Sequence, residues 1–363
     1  MRIDRLDIYR SSLRCKKPFR IATGVSDHCS ALLVKLTTDT GEVGWGEAAP
    51  DPYLTSETLE SCEALLRDHF FPVLKGLSVF EIEEVHRRME RAAYGNPSAR
   101  CGVDLAVYDL LARRMGVTLV EYLGGSARRV LTNYSIGLMP VEEAAQEARR
   151  IVEAGYRCVK LKVGDDPDDD VARVRAVRTA IGPDIPLRID ANEGWNYSDA
   201  LRALTRMEPY SVQLVEQPLA RWDLDGMARL RQRVLPPIAA DEGVHSPREA
   251  ARAISAGAVD IINIKLMKSG GLHPARTIVA LARTHGVRLM VGGMVGESRL
   301  AVTAATALAA AFRFEYADLD ADLLLAEDAV AEGGVTLEAS ERVLPDGPGS
   351  GILRLDERYL TLV

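Results

Sequence analysis

Cysteine is scarce in this sequence. Five residues (Cys15, Cys29, Cys62, Cys101 and Cys158) are scattered through 363, odd in number and without a CxxC pair. That excludes a disulfide framework and a cysteine-based zinc site, and it suits a reducing compartment. Long apolar runs are also missing. The N-terminus reads MRIDRLDIYR, with no apolar signal region, and the stretch Ala301 to Phe312 is Ala-rich and too short to span a bilayer. Basic charge is lacking too. The formal net charge is −7 and no Lys/Arg cluster offsets it, which argues against nucleic acid as a partner. The expectation is a cytoplasmic protein with neither membrane nor nucleic-acid partners.

What is present is the composition of a globular protein, 47% hydrophobic and 27% charged. The length suits two domains, or one large barrel with a cap. Mixed-sign stretches, such as Glu147 followed by Arg149 and Arg150, read as solvated helix faces. Residues 1–124 show strands and then helices. Ile3 to Tyr9 and Ala31 to Thr37 alternate like strands, and Val43 to Ala48 is a third, Gly-interrupted one. Helical periodicity comes next, over Ser56 to Leu74, Val79 to Ala93 and Ser98 to Met115. This predicts an α+β capping domain.

Over residues 125–321 the rhythm changes. Apolar runs at Leu131–Ile136, Cys158–Val163, Pro186–Ile189, Val212–Val215, Pro237–Ala240, Ile261–Ile264, Arg288–Val291 and Phe314–Tyr316 alternate with amphipathic helices. Eight such units predict a (β/α)8 barrel of the TIM type, with a weak eighth unit. Residues 322–363 form a Gly-rich tail expected to return to the capping domain.

The chemistry lies at the C-terminal ends of these runs. Lys162, Asp190, Glu216, Asp241 and Lys265 end five successive runs at intervals of 24 to 28 residues. In a barrel those ends meet at one mouth. Three convergent carboxylates repel one another unless a cation sits among them, and an all-oxygen ligand set selects Mg2+ over zinc. Lys162 and Lys265, on strands two and six, would face the substrate from opposite sides. They could exchange a proton beside a carboxylate, with the metal stabilising the enediolate. Lys160, on the same side of its strand as Lys162, is expected to depress the Lys162 pKa and to touch substrate. Asn192 is expected to brace Asp190. Asp318 and Asp320, facing one side after the eighth run, could hold a substrate ammonium.

These segments (VKLKV, RIDANEGW, VEQP, ADE and INIKLMKSGG) resemble the enolase superfamily, muconate-lactonizing subgroup. Val291-Gly292-Gly293-Met294 lacks the histidine of the mandelate-racemase branch. Within the two-lysine branch the chain is similar to dipeptide epimerases. The resemblance implies an isomerase that epimerises the C-terminal residue of an L,L-dipeptide. It assigns Lys162 and Lys265 as acid/base pair, Asp318 and Asp320 as ammonium ligands, and Ser135 and Met294 as site lining. A homo-oligomer is expected. Alanyl-glutamate epimerases of this type carry an arginine where this chain has Gly24, so Ala-Glu specificity is not expected. Asp27 and Asp51 lie in loops expected to close over the barrel, suiting a cationic or polar dipeptide, while Tyr53 and Ile21 suit an apolar one. N-succinylamino acid racemase, o-succinylbenzoate synthase, muconate-type cycloisomerase, a Schiff-base aldolase using Lys162 and a barrel that only binds ligands remain as alternatives.

Overall fold

The computed structural model describes all residues, Met1–Val363. Strands Ile3–Ile21 and Gly24–Thr38 form one long antiparallel ribbon turning at Ala22-Thr23. Val43–Ala48 pairs on one edge and the C-terminal strand Leu360–Leu362 on the other. The ribbon is far longer than the alternation over Ile3–Tyr9 and Ala31–Thr37 predicts. Its outer half is rich in charged and polar residues and largely exposed, so it has no buried face to impose a period of two.

Helical structure runs from Leu59 through Leu74, with a π-type stretch at Leu65–Phe70, and then over Ile82–Ala92 and Pro97–Met115. Helix Pro97–Met115 is buried on nearly every side. Strand Val43–Ala48 lies directly on it, and glycine permits that contact. A Cβ at Gly44 would stand 2.2 Å from the Ala106 carbonyl oxygen, and one at Gly46 would stand 2.0 Å from that of Gly102.

Eight parallel strands form a single sheet in sequence order: Tyr134–Ile136, Val159–Lys162, Leu187–Asp190, Val212–Glu216, Ile238–Ala240, Ile261–Ile264, Arg288–Gly292 and Tyr316–Asp318. Helices cover the outside, and 65 buried residues make the main core. The eighth strand begins two residues later than the sequence predicts. The predicted run Leu131–Ile136 is divided. Arg129–Leu131 leaves the barrel to pair with the tail strand Glu341–Val343, and only Tyr134–Ile136 enters it.

No backbone ladder joins the first strand to the eighth. Side chains close that seam. Thr132 accepts the Leu319 N–H at 2.8 Å, Asn133 donates to Asp318 at 2.6 Å, and the Ser135 N–H donates to Asp320 at 2.6 Å. The tail plugs it from outside, with Ser340 and Thr132 exchanging hydrogen bonds at 2.9 Å.

Buried carboxylates tie cap to barrel by capping helices across the interface. Glu47, on strand Val43–Ala48, accepts N–H groups of Ser298 at 2.7 Å and Ala301 at 3.2 Å, and the Ser298 hydroxyl, at the start of helix Arg299–Phe312. Asp104, on helix Pro97–Met115, takes the N–H groups of Leu272 and His273 in the same way. Glu47→Ala leaves those helix donors buried and unpaired and is expected to cost about 2–3 kcal/mol. Urea unfolding measures this as a lower midpoint.

Candidate active site

The strand ends place the chemistry in one rung. Lys162 lies opposite Asp190, and Asp190 opposite Glu216, in the parallel register. Asp241 follows strand Ile238–Ala240 and Lys265 follows strand Ile261–Ile264. Strands two and six stand four apart in the ring of eight, so the two lysines face each other across the mouth. Both line a cavity of about 260 Å³, together with Ser135, Asn192, Met294, Asp318, Asp320, Gly24 and Asp51. A larger cleft, about 1210 Å³, opens between cap helix Ile82–Ala92 and the barrel, but none of these five charged residues lines it. The smaller cavity holds the chemistry.

The backbone here is strained. Asn192, Glu193 and Gln217, just after Asp190 and Glu216, have φ of 41°, 67° and 34°. Such left-handed non-glycine residues persist where surrounding structure forces them, commonly at functional sites. The Asn192 N–H donates to Asp190 at 3.0 Å and its side chain donates to Glu242 at 2.9 Å. Gln217 accepts the N–H groups of Asp241 and Gly243 at 3.0 and 3.1 Å, holding the Asp241 loop. Asn263 donates to Glu216 at 2.7 Å. Gly292 ends the seventh barrel strand without a side chain, and a Cβ there would stand 2.8 Å from the Asn263 side-chain oxygen and 3.0 Å from the Lys265 stem.

Ammonium groups are interleaved with the carboxylates. Lys162 lies 2.6 Å from Asp190, and Lys265 lies 2.7 Å from Asp241. Lys268 lies 2.6 Å from Asp241 on the far side, fully buried. Lys160, also fully buried, reaches Asp190, Glu216 and Asp318 at 2.9, 2.7 and 2.5 Å. Lys160 does not itself line the cavity, and its ammonium lies on Asp190, Glu216 and Asp318 at the floor. Asp190, Glu216 and Asp241 converge at the mouth, and their oxygens face ammonium groups.

The donor set nonetheless fits a hard divalent cation. Glu216 Oε2 and both Asp241 carboxylate oxygens are buried and face only ammonium groups, at 2.6 to 2.7 Å, with no other polar partner. Six carboxylates (Asp190, Glu216, Asp241, Glu242, Asp318 and Asp320) meet four ammonium groups (Lys160, Lys162, Lys265 and Lys268). The excess is two negative charges, which one divalent cation neutralises. The excess also shows in the acidities. Burial and Asp190 push Glu216 up to about 7, and burial and Asp241 push Glu242 up to about 8. Burial would raise Asp190 and Asp241 too, but their lysines hold both below the usual range. Burial lowers Lys265, and Asp241 and Glu216 outweigh it, raising Lys265 above its ordinary value.

The aspartates after the eighth strand divide their work. Asp318 is taken up by Lys160, Asn133 and Ser135. Burial opposes its ionisation, but Lys160 and Lys162 hold it below the usual carboxylate range. Asp320 accepts only the Ser135 N–H and keeps its other oxygen without a partner. Burial and the Asp318 charge push it up to about 7. Met294 is fixed by its N–H, which donates to Glu297 at 3.0 Å. Of the loop acids, Asp51 turns inward, but one of its oxygens accepts the N–H groups of Tyr53 and Leu54. Asp27 is exposed beside His28 and does not line the cavity.

Two family models match this chain. Residues 6–124 match the mandelate racemase / muconate lactonizing enzyme N-terminal domain, and residues 143–358 match the enolase C-terminal domain-like family. The chain belongs to the enolase superfamily. Among its relatives, an L-Ala-D/L-Glu epimerase of Clostridium acetobutylicum is 40% identical over 94% of this chain and 96% of that protein. A hydrophobic dipeptide epimerase of Enterococcus faecalis is 37% identical over 97% of this chain and 99% of that protein. The solved structure of the Enterococcus faecalis V583 dipeptide epimerase, complexed with Mg and L-Leu-L-Tyr, superposes with a TM-score of 0.95. It is 37% identical and covers 98% of this chain and 100% of that one. Sequence alone does not single out Gln217, Asn263, Lys268 or Glu242. Each lies within three residues of a recognised site residue, and only contacts between strands show what each one does.

Proposed function

We propose that this enzyme is a Mg2+-dependent dipeptide epimerase that inverts the α-carbon of the C-terminal residue by 1,1-proton transfer. The carrying observation is the joint placement of two opposed lysines and Asp320 in one cavity. A carboxylate substrate with an α-proton uses the lysines, and a free ammonium uses Asp320. The near-full-length relatives named as dipeptide epimerases support this reading. Mg2+, held by Asp190, Glu216 and Asp241, would supply Lewis-acid stabilisation of the charge that builds on the substrate carboxylate as the proton leaves. Neutralising Asp241 and Glu216 removes the attraction that keeps Lys265 protonated, and burial then favours its neutral, basic form. One lysine takes the α-proton from its face while the other returns a proton to the opposite face. The free thiols and the lack of any helix long and apolar enough to cross a membrane are in keeping with a cytoplasmic enzyme.

Exchange of a dipeptide library in D2O, read by mass spectrometry, tests the reaction. The expected result is a gain of one mass unit at the C-terminal residue, abolished by EDTA and restored by Mg2+. Exchange of N-acylated amino acids with no dipeptide exchanged would reject the reading. The Asp320 acidity sets a pH dependence. Its raised pKa leaves it partly protonated below about 7, and an ammonium binds only the ionised form. KM for dipeptides is therefore expected to fall as pH rises through about 7. Asp320→Asn should raise KM and flatten that dependence in initial-rate measurements.

A further inference from the structure

Two of the five cysteines meet across the ribbon. Cys15 lies on strand Ile3–Ile21 and Cys29 on strand Gly24–Thr38, 14 residues apart, with their Sγ atoms 3.5 Å from each other. A disulfide closes at about 2.0 Å, so joining them takes a shift of roughly 1.5 Å. The ribbon has slack for it. Its ladder runs regularly as far as Arg14 opposite His28, then slips and resumes at Phe19 opposite Ser26, so no pair within the ribbon fixes Cys15. Cys29, Cys62, Cys101 and Cys158 are buried, and Cys15 alone is partly exposed. An oxidant in solution therefore meets Cys15 first, with Cys29 behind it. Burial, and then the Cys15 charge, push Cys29 up to about 12 and keep it a thiol while Cys15 is free.

The pair stands where three segments of the cavity wall join. The ribbon tip beyond it, with Phe19, Ile21 and Gly24, lines the cavity. Cys29 packs on the loop after the seventh barrel strand. Gly296 in that loop has a φ of 113°, and a Cβ there would stand 3.3 Å from the Cys29 Cβ. The same loop brings Gly293, Met294 and Val295 to the cavity. Cys15 forms an antiparallel bridge with Leu325, whose neighbour Leu324 lines the cavity from the third side. Cys29 and Leu325 belong to one apolar cluster, and Cys15 and Val295 pack against it. Sulfur atoms cannot close on each other here without moving at least one of these segments.

We propose that Cys15 and Cys29 form a reversible disulfide by exchange with a small-molecule disulfide of the glutathione type, and that this bond weakens substrate binding by displacing the cavity wall. The Cys15 thiolate attacks one sulfur of the small disulfide, whose S–S bond breaks and releases one small thiol. With Cys15 capped, its charge no longer opposes ionisation of Cys29. Cys29 gives its proton to water and its sulfur attacks Cys15 Sγ, and the second small thiol leaves. The protein gives up two protons and two electrons, and the small disulfide takes them to become two thiols. A transient bond of this kind is compatible with a reducing compartment. Lys162 and Lys265 are carried by barrel strands rather than by the three wall segments, so the effect falls on KM more than on kcat.

The test treats the native enzyme with glutathione disulfide and then with dithiothreitol. Trypsin cuts at Arg20, between the two cysteines, so a disulfide leaves their peptides linked in mass spectrometry. The expected result is that linked pair, a roughly tenfold rise in dipeptide KM with a smaller change in kcat, and reversal of both on reduction. Cys15→Ser, at a partly exposed position, is expected to keep the activity of the reduced enzyme and to ignore the oxidant. A glutathione adduct on Cys15 with no linked pair overturns the disulfide. A linked pair with KM unchanged, or a Cys15→Ser enzyme as sensitive as the native one, overturns its hold on the cavity wall. The linked pair is read without any substrate, so the dipeptide reading fails separately, by the reduced enzyme exchanging no dipeptide.

Discussion

Lys265→Ala is expected to lower epimerisation by roughly a thousand- to ten-thousandfold, the loss typical of a missing general acid–base group, while sparing exchange of one epimer. Lys162 and Lys265 reach the cavity from strands on opposite sides of the barrel, so each meets the α-carbon from its own face. With Lys265 gone, Lys162 can still remove and return the proton on its face. In D2O that gives deuterium exchange without inversion, from one epimer alone. Lys162→Ala is expected to spare the other epimer. Proton NMR of L,L- and L,D-dipeptides with each variant reads the outcome directly. Equal loss of exchange from both epimers in both variants would sink the two-lysine mechanism. A merely structural role for either lysine would not produce this opposite, epimer-specific pattern.

Sequence period and spacing are enough to find the barrel and its mouth for a physical reason. A parallel strand buried on both faces is largely apolar, and although Lys160, Arg188 and Asn263 interrupt these runs, a charged residue recurs where each one ends. Lys162, Asp190, Glu216, Asp241 and Lys265 each end such a run. The eighth strand is the weakest element, and its predicted position is shifted because Tyr316-Ala317-Asp318 is short and only partly apolar. The ribbon is longer than predicted because a strand pair exposed on both faces carries no alternation. The seam closed by Thr132, Asn133 and Ser135 is invisible in the sequence for another reason. Its partners, Leu319, Asp318 and Asp320, lie about 185 residues further on, and side chains there replace a regular ladder.

Lys160 shows how strand parity places a residue before its contacts are known. Its strand parity puts it on the same side as Lys162, and it is there. Strand geometry also puts it two residues deeper, below the cavity floor. There its ammonium is a counter-charge that lets Asp190, Glu216 and Asp318 stay together. The same contact draws Asp318 inward and leaves Asp320 as the acid open to the cavity. One buried lysine thus links the metal-binding side of the mouth to the ammonium-binding side.

That link predicts the largest stability effect in the molecule. Lys160→Met keeps the length of the side chain and removes its charge, leaving three carboxylates without their shared ammonium. Breaking a buried ion pair by deleting one partner costs about 3–5 kcal/mol, and here one cation serves three anions. The uncompensated charge around the floor rises from two to three negative units. Burial alone would favour the neutral amine of Lys160, but Asp190, Asp318 and Glu216 outweigh it and raise its pKa well above the ordinary value. The charge is therefore present at every pH in which the protein is handled. The expected outcome is a lower melting temperature together with a larger rise on adding Mg2+ than the native enzyme shows, because the cation then relieves more repulsion. Thermal unfolding of both proteins across a Mg2+ titration measures it. A variant that melts like the native protein, with an unchanged Mg2+ response, would show that Lys160 is not the counter-charge of this site.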